Sequence, residues 1–69
     1  MRRRWLRRKV FSTVMVHTDT DQTFSGVLMD EVADGLVLCD GKFLEGDAEL
    51  ALSGRVFVPR ARIVFVQVL

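Results

Sequence analysis

The sequence predicts an all-β chain, five short strands strongly bent into a small barrel behind a short N-terminal helix. Three observations predict it. From Val14 onward, apolar and polar residues alternate with period two, as on a half-buried strand. Polar clusters, Asp19-Thr20-Asp21-Gln22 and Asp30 to Gly35 among them, divide the alternation into hairpin-sized pieces. Gly26 falls inside one of these pieces, where a missing side chain lets a long strand bend sharply.

Each element follows in chain order. Arg2 to Lys9 contains no Gly, Pro or β-branched residue, so a short helix is expected over residues 1–9. Trp5, Leu6 and Val10 give it a narrow apolar stripe, with Arg2, Arg3, Arg7 and Arg8 facing away, and the barrel domain follows over residues 10–69. Val14 and Val16 alternate with Thr13, Met15 and His17 in the first strand. The second places Phe24, Gly26 and Leu28 on one face, and Asp34-Gly35 then supplies a turn able to take positive φ. Leu36 to Asp40 is the third strand. Residues 41–54 hold three acids among scattered apolar residues and read as an irregular loop or an extended hairpin tip. Arg55 to Val58 is the fourth strand, ended by Pro59, which lacks the N–H that a ladder needs. After Arg60-Ala61-Arg62, Ile63 to Leu69 is the fifth.

In that last strand Ile63 and Phe65 point one way and Val64, Val66 and Val68 the other, so both faces are apolar. Such a strand needs a neighbour, because an open apolar edge invites pairing with another chain. Size points the same way. A chain of 69 residues buries only about 60% of the surface it exposes when unfolded, and small domains make up the deficit with disulfides, metals or association. One cysteine, Cys39, and one histidine, His17, supply neither a disulfide nor a zinc spacing. Association remains.

Composition narrows the function further. Apolar residues make up 49% of the chain and charged residues 28%, which suits a folded domain. No apolar run approaches the roughly 20 residues that span a bilayer, and no cleavable leader follows the basic start; the expected location is the cytoplasm. Charge is uneven. Residues 1–9 carry six cations and no acid, residues 10–54 carry Lys42 against nine acids, and Arg55, Arg60 and Arg62 follow. A basic arm beside an acidic middle suits an anionic partner or contact between copies. Arg60 and Arg62 either extend a phosphate-binding surface or form a charged turn that pairs with Asp30 or Asp34. His17, Asp19 and Asp21 alternate near a turn without a third firm ligand, and Cys39 reads as a small buried hydrophobe, so no catalytic, metal or cofactor site is expected.

The fold-bearing residues resemble the Sm and Sm-like (LSm) family of small β-barrels, which are SH3-like in shape. Val14-Met15-Val16, Phe24-Ser25-Gly26-Val27-Leu28 and Leu36-Val37-Leu38 are similar to its first motif; Leu52-Ser53-Gly54-Arg55-Val56-Phe57-Val58 with Ile63 is similar to its second. The resemblance covers nearly the whole chain and implies protomers that join strand four to strand five of the next copy and close rings. Members that bind uridine-rich RNA place an Asp, an aromatic or similar residue and an Asn before strand three, and Arg-Gly then Asn after strand four. Here those stretches read Asp30-Glu31-Val32-Ala33-Asp34-Gly35 and Pro59-Arg60-Ala61-Arg62, without Asn, and the chain has no tyrosine for the Tyr-Lys-His signature of the bacterial RNA chaperones. The order of an Arg-rich start, Phe-Ser-Gly-Val-Leu and Val-Pro-Arg then Val-Gln also resembles short Sm-like proteins of actinobacterial tailed phages. That likeness implies a virion or assembly component, placed in host cytoplasm or virion.

The sequence thus predicts a non-enzymatic structural or adaptor module that associates with itself or a larger protein assembly by strand-edge pairing, with Val56, Val58, Val64, Val66 and Val68 at the joint. The alternative is an oligomeric RNA- or DNA-binding ring in which Arg2, Arg3, Arg4, Arg7, Arg8, Lys9, Arg60 and Arg62 hold phosphates and Trp5 stacks on a base. Neither reading includes a small-molecule substrate or a membrane.

Overall fold

The computed structural model describes residues 10–69. The expected helix over residues 1–9, and with it the boundary before residue 10, lies outside the described residues. Six antiparallel strands make one bent, unclosed sheet: β1 (Thr13–Thr18), β2 (Thr23–Val32), β3 (Gly35–Glu45), β4 (Ala48–Ala51), β5 (Val56–Pro59) and β6 (Ile63–Val68), with a 3-10 turn, Arg60–Arg62, before β6. The strand order is β4-β3-β2-β1-β6, and β5 also pairs with β3. Among the described residues no helix is long and apolar enough to cross a membrane.

Alternation builds the core. Val14 and Val16 of β1, Leu28 of β2, Leu36 and Leu38 of β3 and Val58 of β5 are buried together, with Phe24, Val56, Ile63 and Val66 packed against them. Each such side chain contributes roughly 1.5–3 kcal/mol on burial. The long β2–β3 pair curls over this core at Gly26. A Cβ there would sit 2.9 Å from the Cys39 carbonyl oxygen. Opposite it, Asp40 and Gly41 lie between the paired positions Cys39 and Lys42, and Asp40 takes φ 51°. That β-bulge turns the strand and sharpens its twist. A second irregularity at Met29 sets Glu31 across from Leu36 and buries it.

Three expectations change. Residues 41–54 form the extended hairpin, not the irregular loop: β3 runs on to Glu45, Gly46 turns at φ 58°, and β4 pairs back from Ala48 to Ala51. All of β4 is exposed, so no burial pattern marks it in the sequence. β4 and β5 lie along the same side of β3 as halves of one strand interrupted at 52–55, where Gly54 takes φ 71°. Second, neither Asp34 nor Gly35 takes positive φ; Gly35 is needed because a Cβ would run into the Val58 carbonyl oxygen and the Phe57 ring. Third, β6 does not divide into Ile63 and Phe65 against Val64, Val66 and Val68. Thr18 pairs with Ile63 and His17 with Phe65, so Val64 is an extra, unpaired residue that reverses the alternation. Ile63 and Val66 consequently both pack on the core.

Candidate functional site

The open ends of the sheet and the turn between them form the candidate site. β5 is hydrogen-bonded on one edge to β3, and β6 on one edge to β1, yet only Arg60–Arg62 separate the two strands. The other edge of each has no strand beside it among the described residues. Pro59, with φ −63° and ψ 136°, turns the chain out of β5, and Ile63 N–H donates to the Arg60 carbonyl to close the turn. Beside β5 a depression of about 320 Å³ opens between Phe24, Val56 and Val58 on one side and Thr18, Thr20 and Gln22 on the other. The barrel is unclosed there.

The two turns of the sequence reading meet at this end. Arg60 N–H donates to the Asp34 carbonyl at 2.6 Å, and Asp30 accepts from Glu31 N–H at 2.8 Å. Arg62 pairs with neither Asp30 nor Asp34; its Nη1 lies 3.7 Å from the Asp19 carboxylate, and Asp19 N–H donates to the Arg62 carbonyl. Both partners of that ion pair are well exposed, so the pair holds the arginine by about 0–1 kcal/mol. A phosphate can compete for it.

The residues expected at the joint are distributed unevenly. Val58 is 3% exposed and belongs to the core. Val56 and Val66 are half-buried, leaving Val64, 61% exposed, and Val68, 40% exposed, as open side chains of the five. Arg2, Arg3, Arg4, Trp5, Arg7, Arg8 and Lys9 lie outside the described residues.

The sequence reading missed the outer face of the β1–β6 pair. His17 stacks on Phe65 with ring centroids 4.1 Å apart, its Nε2 lies 2.9 Å from the Gln67 amide oxygen, and its Nδ1 lies 3.4 Å from the Thr23 hydroxyl. Phe57 and Phe65 are each 51% exposed. The bulge at Val64 hid this, because unbroken alternation puts Phe65 in phase with Ile63. No group of three metal-binding side chains gathers among the described residues, and Cys39 is half-buried opposite Val27.

Comparison with solved structures decides the architecture. One chain of the P. aerophilum SmAP1 heptamer superposes with a TM-score of 0.83 at 16% identity, over 90% of this chain and 84% of that one. This chain has the Sm-like fold. A heptameric archaeal Sm protein matches with a TM-score of 0.82 at 16% identity, over 90% of this chain and 91% of its own. A chain of the NatC complex bound to CoA matches at 0.81 and 23% identity, over 99% of this chain and 88% of that one. No protein-family model and no curated protein sequence matches.

Proposed function

We propose that copies of this chain close into a ring by pairing β5 of one with β6 of the next, and that the ring holds single-stranded RNA. One observation carries the reading: β6 ends the sheet path beyond β1, β5 pairs with β3 off that path, and neither has a strand on its other edge among the described residues, although only Arg60–Arg62 separate the two. Within the chain the two are not paired with each other, whereas identical copies can satisfy both by the same contact repeated, which is the heterologous interface that generates rings. Two of the structural neighbours are described as heptamers, which supports association over a solitary domain. They favour the ring over the virion adaptor.

The RNA half of the reading rests on charge. Arg60 and Arg62 project from the turn at the open end, and residues 1–9 carry six further cations. Repeated around a ring, such groups release counterions when phosphates bind. With no Asn in the turns over 30–35 and 59–62, base edges lack an amide reader there, so contact is mainly with the backbone and base selectivity is low. The test combines light scattering with titration of a fluorescent single-stranded RNA at several salt concentrations. The expected result is a multiple of the protomer mass and affinity that falls steeply with salt. Binding of DNA in preference to RNA, or no binding at low salt, overturns the RNA assignment.

A further inference from the structure

The strand joint leaves part of the sheet edge uncovered. β4 and β5 lie along one side of β3 and offer four strand residues each, whereas β6 has six. Paired to Val56–Pro59, β6 of the next copy ends near the break at 52–55 and does not cover Ala48–Ala51. That remaining edge is exposed, with Leu50 at 60%. Acids surround it: Glu45 and Asp47 flank the hairpin turn, and Glu49 pairs with Lys42 at 3.6 Å across the hairpin. Open ladder groups, one exposed leucine and this charge suit an extended basic segment that carries apolar residues.

We propose that the outer edge of β4 receives residues 1–9 of the neighbouring copy. The inference rests on the strand-joint reading above. The segment has six cations against the three acids of the hairpin, and Trp5 and Leu6 can cover Leu50. Geometry selects the neighbour. Leu69 N–H donates to the Thr13 carbonyl and Val14 pairs with Val68, so the chain enters β1 beside the end of β6. An antiparallel joint sets that end alongside Val56, on the side towards β4. The chain's own segment is worse placed. Phe11 N–H donates to the Leu28 carbonyl, so β2, β3 and β4 all lie between its exit and this edge. Reaching the outer side of β4 from the β1 position takes four strand spacings, about 19 Å at roughly 4.8 Å per strand, out of the roughly 30 Å that nine extended residues can span.

The test uses nucleic-acid-free, full-length protein. A labelled variant with Arg2, Arg3, Arg4, Arg7 and Arg8 replaced by Ser is mixed with excess unlabelled wild type, and amide exchange over Ala48–Ala51 is followed by NMR. Addition of wild type is expected to slow exchange at the outward-facing amides about tenfold. In the wild type, Trp5 emission is expected to shift to the red when Glu45, Asp47 and Glu49 are changed to Lys. Equal exchange in the wild type and the Ser variant overturns the proposal; so does slow exchange in the wild type that added wild type does not confer on the variant, which assigns the edge to the chain's own segment. Light scattering on the same samples separates the two readings. An assembled protein with fast-exchanging Ala48–Ala51 sinks this inference alone, whereas a monomer sinks the joint and this inference with it.

Discussion

Gly35 has no room for a side chain because β5 passes directly over it, with the Val58 carbonyl and the Phe57 ring in the space a Cβ would occupy. Gly35→Ala therefore has to push β5 off β3 at the Gly35–Pro59 pair, at a cost of about 1–3 kcal/mol. A lowered urea midpoint with an unchanged slope is the expected result; an unchanged midpoint contradicts the close approach. His17 poses the complementary case on the outer face, where its ring is held by Phe65 and Gln67. His17→Ala removes the stack and one side-chain hydrogen bond, and is expected to cost about 1 kcal/mol. Retention of full stability in His17→Ala but not in Phe65→Ala would show that the phenylalanine, and not the pair, secures the strand.

At the scale of elements, the single inserted residue in β6 decides which side chains the strand buries. Deleting Val64 leaves Ile63 and Val66 two positions apart, so plain alternation keeps both on the core without a bulge, and the variant is expected to lose less than about 1 kcal/mol. Thermal unfolding checks it, and the loss of about one buried apolar side chain, roughly 1.5–3 kcal/mol, contradicts the bulge. The same strand shows what the sequence could and could not disclose. Val14, Val16, Leu28, Leu36 and Leu38 were legible as core because regular alternation places them there, and Gly26 was legible as the bend because few other roles suit a glycine inside a strand. Bulges left no such trace. Val64 and Asp40 look like ordinary strand and turn residues, since a bulge is fixed by which partner residue stands opposite, and that is a property of two strands together. β4 was obscure for another reason: backbone pairing with Lys42–Glu45 holds it, and four exposed residues produce no hydrophobic rhythm. Of the candidate site, the turns over 30–35 and 59–62 were legible as separate segments, but their meeting through Arg60 and Asp34 depends on how far the sheet curls.

The described residues form an unclosed sheet, and the charge along the sequence is polarised. Nine acids lie between residues 10 and 54, and cations cluster at 1–9 and at Arg55, Arg60 and Arg62. If the open end holds RNA, changing Arg60 and Arg62 to Ser reduces the salt dependence of affinity, with each lost phosphate contact lowering the slope of log K against log salt by about 0.7 for a single strand. An unchanged slope places the phosphates elsewhere. Everything at this scale presupposes that the free edges of β5 and β6 find each other in different copies. The most direct test is the mass of the nucleic-acid-free protein in solution, measured by light scattering at micromolar concentration and above. The account predicts a discrete multiple of the 7.9 kDa protomer that does not grow with concentration; a stable 7.9 kDa monomer would contradict it.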